Sequence, residues 1–425
     1  MKHSVADAAA TTAFPWAHSH PLYGRLERFE DAPLLTPERL AAYTAAHPVA
    51  EAVTEFGECP RCYFQTSGTS GHAKRIPFSE MDLERQIEHE ARSFAIAGLT
   101  PADHVLTLAS PPPSLSAWAT VHGSERLGAT LVNSSYVDFD VPVERGYAAT
   151  ATFVFGTPLM LEMIGETCVE AWGSVPAAFP NVRAGILYGD LLPAPLERRL
   201  RALWDIDVRL LYGSVEADVI AISCPDGDRT MHVMSEQVIV ELLPEQRVRP
   251  GAGDATVAEL VPVADVPTGS RGEVVVSDLG RELLPLIRYR TGDMVEIVQG
   301  LCACGRDGPR LRVLGRRANI VELGGRPLHE LELHEVVEEA LGRQWDDWSA
   351  QVSDNAGPRA CLVLRVQTQN RAHAVQAIGE QLARLGVLDP ARPGAEQLIV
   401  ELAPPRQATG LVATGDVKAD RLSFS

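Results

Sequence analysis

The chain is short of several things, and each shortage removes a class of function. Positive charge lags negative: 38 lysines and arginines stand against 56 aspartates and glutamates, a net charge of −18. That balance argues against bulk binding of nucleic acid or of an anionic lipid surface. No apolar run reaches about eighteen residues, so no helical membrane span is expected. Met1-Lys-His-Ser-Val lacks the apolar stretch of a secretory leader, and the expected location is cytoplasmic. Seven cysteines in 425 residues do not suggest a disulfide scaffold and suit a reducing compartment. Internal repeats and long low-complexity tracts are also missing. With 45% hydrophobic and 22% charged residues the chain can bury a large core, and its length suits about two to three domains.

What is present is concentrated in short segments, foremost Thr66-Ser-Gly-Thr-Ser-Gly-His-Ala-Lys74. Gly68 and Gly71 let the backbone turn tightly and bring its N–H groups up to a phosphate chain. Thr66, Ser67, Thr69 and Ser70 add hydroxyl donors, and Lys74 adds a point charge. Arg61 to Gln65, just before, reads as a short strand. Strand, loop and lysine make a grip for a nucleotide triphosphate. No Gly-Lys-Ser/Thr closes the loop, so it is not the Walker arrangement. Taken alone, such a stretch is as readily a surface loop.

Along the chain, the first thirty residues read as irregular and loosely attached. Thr36 caps a helix with Pro37 in its first turn. A second helix opens at Ser79 and runs to about Ala97, where Gly98 stops it. Strand patterns at 104–109, 129–133, 151–155 and 184–188 alternate with helical ones at 158–170 and 194–204, which argues for α/β layers around a mostly parallel sheet. From about Val233 to Val298 the pattern turns strand-rich, as in an antiparallel or barrel-like layer. A final section holds helices at 330–341 and 371–385 and strands at 360–366 and 397–402, a βαβ-like unit. The expected fold class is α/β: a large N-terminal domain over 1–315, with a strand-rich, barrel-like subdomain, and a small mobile α+β C-terminal domain over 316–425.

Three further segments carry chemistry. Leu211-Tyr-Gly-Ser-Val-Glu216 sets a ring and a carboxylate across a glycine turn at Gly213; the ring can stack on a base and the acid can hold Mg²⁺. Ile287-Arg-Tyr-Arg-Thr-Gly-Asp293 ends in an acid able to accept both hydroxyls of a ribose. Leu314-Gly-Arg-Arg317 offers guanidinium donors. Singly, Tyr212 can be core, Glu216 a solvated acid, Asp293 a turn residue and Arg316 a surface charge. As an ordered set with the glycine–hydroxyl loop, they resemble the motifs of the adenylate-forming superfamily. The branch they resemble is that of the phenylacetate–coenzyme A ligases. His20-Pro-Leu-Tyr, Pro285-Leu-Ile-Arg-Tyr-Arg-Thr-Gly-Asp and Cys302-Ala-Cys-Gly-Arg are similar to segments of that branch, and the likeness runs from about residue 20 to the C-terminus.

The resemblance implies ATP-dependent activation of a carboxylic acid to an acyl-adenylate, then transfer to coenzyme A. The branch suggests an aromatic acid. It implies that Thr66, Ser67, Gly68, Thr69, Ser70, Gly71 and Lys74 bind phosphates, and that Gly189 and Asp190 lie near adenine. Tyr212 and Gly213 would pack on the base, Glu216 would bind Mg²⁺, and Asp293 and Arg316 would hold ribose or phosphate. Lys418, in Gly415-Asp-Val-Lys, matches the C-terminal lysine that stabilises charge during adenylation. The pattern is departed from at Val215, where Thr or Ser is usual, at Ala318-Asn319, where an Asp-Asp pair is usual, and at Gly415, set three residues before Lys418.

Two other groups stand out. Cys224, His232, Cys302 and Cys304 would suit tetrahedral Zn²⁺ in a closed structural site; reduced, unliganded cysteines are the alternative. A rival set takes Cys59 and Cys62 with Cys302 and Cys304, and is disfavoured because Cys62 falls in the strand before the phosphate loop. Trp118 and His122 could face an acid substrate, although Trp118 is as readily core. Expected partners are a small carboxylic acid and, in the second reading, a separate acyl carrier protein or an amine in place of coenzyme A; a homodimer is a further expectation. A noncatalytic nucleotide-binding protein is the third reading.

Overall fold

The structure is a computed structural model that describes residues 20–24, 26, 28–47, 60–66, 74–108, 115–132, 149–249, 255–278, 280–281, 283–323, 326–341, 348–353, 361–366, 371–386, 397–402 and 422–424. Its helices are α1 (Pro37–Ala46), α2 (Glu80–Ile96), α3 (Leu115–Leu127), α4 (Pro158–Trp172), α5 (Val175–Ala178), α6 (Ala194–Trp204), α7 (Glu330–Leu341) and α8 (Arg371–Arg384). The strands are β1 (Cys62–Gln65), β2 (Arg75–Phe78), β3 (His104–Thr107), β4 (Thr130–Val132), β5 (Phe153–Gly156), β6 (Ala184–Leu187), β7 (Asp207–Ser214), β8 (Asp218–Ile222), β9 (Met231–Val233) and β10 (Val238–Pro244). They continue with β11 (Val261–Pro262), β12 (Arg271–Asp278), β13 (Tyr289–Val298), β14 (Arg310–Arg316), β15 (Val321–Leu323), β16 (Arg326–Leu328), β17 (Trp348–Ser353), β18 (Cys361–Val366), β19 (Gln397–Leu402) and β20 (Leu422–Phe424).

Local chemistry accounts for the helix ends. The Thr36 hydroxyl accepts the Arg39 N–H at the start of α1, with Pro37 in the first turn. Ser79 and Asp82 cap α2 reciprocally: the Ser79 hydroxyl takes the Asp82 N–H and the Asp82 carboxylate takes that of Ser79. Thr157 caps α4, and Gly173 ends it with a left-handed φ of 81° that a side chain would resist.

Twelve strands form one sheet in the order β11-β10-β12-β13-β14-β9-β8-β7-β6-β5-β3-β4. β3 to β7 pair in parallel, and β7 then pairs with β8 antiparallel. The long β7 is shared: residues 207–210 lie beside β6 and residues 211–214 beside β8. The hand-over falls just before Tyr212 and Gly213, for which the sequence suggests a glycine turn; both lie within β7, with an irregularity in the pairing between them, and the turn follows at residues 215–217. Within the parallel part the order β4-β3-β5-β6-β7 reverses direction beside β3, and ligands in such sheets sit beyond the carboxyl ends of the strands. α2, α3, α4 and α6 cover its faces. Phe94, Val105, Phe153, Phe155 and Ile186 pack one side, and Leu161, Leu187, Leu200 and Trp204 the other. The strand-rich part packs against the β1–β2 hairpin and the N-terminal segment through Leu35, Ile76, Phe78, Val274 and Leu286. A separate four-stranded sheet, β19-β18-β17-β20, holds the parallel β18–α8–β19 crossover expected near the C-terminus. No helix of the described residues is long and apolar enough to cross a membrane.

One expectation needs correction. The described part of the first thirty residues is irregular but not loosely attached. His20, Leu22, Tyr23 and Leu26 are buried, and the Tyr23 hydroxyl donates to Pro285 O at 3.0 Å and accepts the Ile287 N–H at 2.7 Å. Absence of periodicity hid an anchoring made by single side chains to the distant segment that leads into β13.

Candidate nucleotide site and cysteine–histidine cluster

The β1–β2 hairpin presents the two described ends of the glycine–hydroxyl loop. Thr66 N–H donates to Lys74 O at 3.0 Å, and Lys74 N–H donates to Thr66 Oγ1 at 2.9 Å, so the loop closes on itself at its base. Ser67, Gly68, Thr69, Ser70 and Gly71 lie outside the described residues, as does Lys418. From the hairpin, Lys74 Nζ reaches Glu216 Oε1 at 3.0 Å, with 5% and 9% of the two side chains exposed. Tyr289 donates its hydroxyl to the same Glu216 oxygen at 3.3 Å. Burial, and next the Glu216 charge, push the Tyr289 phenol up, so it stays a donor.

Beside this pair stands a second group. The Tyr212 hydroxyl donates to Asp293 Oδ2 at 2.8 Å, and Arg316 Nη1 lies 3.0 Å from Asp293 Oδ1. Asp293 and Arg316 face one another in the register of β13 and β14. Burial and then Asp293 raise the Tyr212 phenol well above its ordinary value, while Asp293 first among its neighbours raises Arg316. Five of the residues picked from sequence, scattered over more than two hundred positions, thus meet in two adjoining charge-paired groups. Gly213 is required as glycine: a Cβ there would stand 2.3 Å from Asp218 O. Gly189 has a left-handed φ of 84°, and Asp190 beside it caps the Leu191 N–H at 2.8 Å. Trp118 and His122 share one face of α3, with ring centroids 4.6 Å apart; Trp118 leans on Phe64 at 5.6 Å, and His122 Nδ1 lies 3.1 Å from the Glu125 carboxylate.

Sequence reasoning missed three supports. Tyr289, inside the ribose-like motif, faces Glu216 rather than the motif's own acid. Glu273 on β12 is bonded by the Arg290 guanidinium, with its Nε at 3.0 Å, and by the Gly292 N–H at 3.2 Å, which fixes the Asp293 turn. Its only signal is cross-strand register, which sequence does not carry. Glu330, at the start of α7, accepts the Arg316 N–H at 3.1 Å and the Asn319 amide at 3.0 Å, so an acid from the next helix stands over the segment where Ala318 lacks one.

The second constellation also assembles. Cys224, His232, Cys302 and Cys304 place their ligand atoms within 4.8 Å of one another. Cys224 and Cys302 Sγ atoms are 3.7 Å apart, and His232 Nε2 is 3.4 Å from Cys224 Sγ and 3.5 Å from Cys304 Sγ. A tetrahedral zinc with Zn–S of about 2.3 Å and Zn–N of about 2.0–2.1 Å would set these separations at about 3.8 Å and about 3.6 Å. The donor set therefore fits the ion without rearrangement. Burial pushes the Cys224 thiol up to about 12 and holds His232 below its ordinary value. Cys62 lies in β1, as the argument against the rival set required; Cys59 is outside the described residues.

No family model matches the chain. In sequence it is 22% identical over 275 residues to the phenylacetate-coenzyme A ligase of Escherichia coli (strain K12), covering 64% of this chain and 59% of that protein. It is 24% identical over 238 residues to the enzyme of that name from Pseudomonas putida, covering 55% of this chain and 50% of that protein. The matches thus span half to three-fifths of the length of these curated relatives. Among solved structures, 2-hydroxyisobutyryl-CoA ligase in the postadenylation state with 2-HIB-AMP superposes with a TM-score of 0.73 at 20% identity, covering 99% of this chain and 88% of that one. ATP-bound MatB from Rhodopseudomonas palustris superposes with a TM-score of 0.57 at 17% identity, over 83% of this chain and 66% of that one. The fold is that of the adenylate-forming superfamily, and the sequence resemblance to its phenylacetate–coenzyme A ligase-like branch is borne out.

Proposed function

We propose that this chain, with the adenylate-forming fold and a sequence likeness to the phenylacetate–coenzyme A ligase-like branch, is an AMP-forming acid–thiol ligase. A carboxylate oxygen attacks the α-phosphate of ATP; the bond to pyrophosphate breaks, and an acyl-adenylate forms. The thiol of coenzyme A then attacks the acyl carbon and AMP leaves. The observation that carries this reading is the meeting of Lys74, Glu216, Tyr212, Asp293 and Arg316 at the end of β7. There Asp293 accepts the ribose hydroxyls, with Tyr212 and Arg316 holding its carboxylate in place. Lys74 pairs with Glu216 before ATP enters and turns to phosphate oxygens afterwards. Glu216 is then the carboxylate available to Mg²⁺, which would offset charge on the phosphates. Lys418 supplies the second ammonium during adenylation. Lysine occurs at positions 2, 74 and 418 alone, arginine making up the rest of the 38 lysines and arginines. Two of the three lysines therefore fall at the proposed phosphate contacts, where a compact, mobile point charge suits a group that must change partners.

The finer readings are these. The acid bears an aromatic ring, in keeping with the relatives' name and with the Phe64–Trp118 pair at the β1–α3 junction. Zn²⁺ fills the cysteine–histidine cluster as a structural ion. The 1–315 and 316–425 segments act as body and lid, in the cytoplasm. The test is pyrophosphate exchange over a panel of aromatic and aliphatic carboxylates, followed by coenzyme A addition. Exchange with an acid, then thioester, is the expected result. Exchange with no thioester assigns a different acceptor, and no exchange with any acid removes the proposal.

A further inference from the structure

Under the β7–β8 hairpin lies a buried polar cluster that none of the roles above uses. Asp218, two residues after Glu216, adopts a left-handed φ of 61°. That conformation strains most side chains, though aspartate tolerates it better than most. The hairpin closes tightly there, since a Cβ on Gly213 would meet Asp218 O. The Asp218 carboxylate is fully engaged. His89 Nδ1 stands 2.8 Å from Oδ2, Val219 N–H donates to Oδ1 at 2.6 Å, and the Gln86 amide donates to the same Oδ1. Asp218, His89 and Gln86 are all buried.

Gln86 and His89 are three residues apart on one face of α2. The same helix begins at Ser79, directly after β2, the strand that carries the chain away from Lys74. One rigid helix therefore governs both members of the Lys74–Glu216 pair: Lys74 through β2, and Glu216 through the carboxylate of Asp218. We propose that Asp218 is a positioning residue, whose grip by Gln86 and His89 sets where Glu216 stands against Lys74. The inference rests on the reading that this pair serves ATP, and its placement part can be tested apart from that reading.

Because lysine is so scarce, acylation of Lys74 by an amine reagent, followed by peptide mass spectrometry, reports the pairing without any turnover. Asp218→Gly keeps the left-handed backbone free of strain and removes only the grip. It is expected to raise the Lys74 labelling rate as Glu216→Gln does, and to add nothing in the Glu216→Gln background. In pyrophosphate exchange it is expected to lower kcat by about 10- to 100-fold with little change in KM for ATP, the cost of misplacing a reacting group. Asp218→Asn, which retains an acceptor of the same size, is expected to recover part of that loss. Unchanged labelling in a folded Asp218→Gly protein, or increments that multiply with Glu216→Gln, would overturn the proposal. Labelling that shifts while the wild type supports exchange with no acid removes the function and leaves the placement standing. Should Asp218→Gly fail to fold, the Gln86→Leu, His89→Leu double variant removes both side-chain donors from the helix side and is read by the same criteria.

Discussion

The same strands run between two sites, and their two ends are built on opposite principles. β8 begins beside Glu216 and leads to Cys224; from Asp218 to Cys224 an extended strand covers about 20 Å. β13 and β14 pair Asp293 with Arg316 at one end, and the loop joining their other ends carries Cys302 and Cys304. At the proposed nucleotide end the charges stand in pairs among the described residues: Lys74 with Glu216, Arg316 with Asp293, Arg290 with Glu273. At the cysteine end three thiols and an imidazole face one another. Paired charges can exchange partners when a charged ligand arrives, at modest cost. A cluster of soft donors can be satisfied together by an ion that stays. On the proposed reading, the difference teaches that one end is built for exchange and the other for permanence.

The most damaging way to break that contrast is to unbalance the exchangeable end. Lys74→Met should lower pyrophosphate exchange by about 10²- to 10³-fold, the scale seen when one preorganised charge contact is lost. It also leaves Glu216 buried without its cation, at about 3–5 kcal/mol by analogy with broken buried pairs. Chemical denaturation and exchange should therefore both suffer; loss of activity at full stability would show that Lys74 is paired elsewhere in solution. The cysteine end should respond the other way. Cys224→Ser is expected to abolish bound zinc by elemental analysis and lower the melting temperature by several degrees, while KM for ATP moves less than about threefold. A zinc-free wild type with an unchanged melting temperature would remove the permanent ion from the account.

A smaller change sharpens the nucleotide end. Tyr212→Phe keeps the ring and deletes the hydroxyl that donates to Asp293. Such a bond to a charged acceptor is worth about 1.5–3 kcal/mol, so AMP affinity measured by calorimetry should fall about 10- to 100-fold. An unchanged affinity would mean that the ring alone matters and that Arg316 suffices to orient the acid.

How much of this was legible follows from where each determinant lies in the chain. Caps, glycine stops and strand–helix alternation are local, and α1, α2, α4, α6 and the parallel strands β3 to β6 fall where the pattern places them, whereas the pattern does not mark the fifth, β7, as a strand. The four metal-type ligands could be found because cysteine is scarce enough for each to be noticed. Tyr212, Glu216, Asp293 and Arg316 were visible only as an ordered set, since none is unusual alone. What escaped depends on pairing between strands or on single long-range contacts. Glu273 holds the Asp293 turn through the β12–β13 register, Asp218 works through α2, and Tyr23 ties an irregular N-terminal stretch to Pro285 and Ile287. Scarcity of lysine was a readable signal too, and it points to Lys74 more sharply than the surrounding glycines do.

A last, smaller test uses a clasp that belongs to neither end. Glu245 follows β10, and its Oε1 lies 2.6 Å from Nε2 of buried His329, just before α7, with Arg249 2.9 Å from its other oxygen. Burial alone would raise this acid, but the His329 and Arg249 contacts outweigh it and hold it down to about 2. An acid depressed on folding contributes stability that is complete above its unfolded value of 4.5 and drains away as pH falls towards about 2. Glu245→Gln should therefore be less stable than the wild type in urea at pH 6, and the gap should narrow steadily between pH 4.5 and pH 2.5. KM for ATP and zinc content should not move. A gap that widens with acid would show that the clasp draws its strength from elsewhere; a shift in either end's readout would mean that α7 communicates with that end through His329, and the separation of the two ends would need a third term.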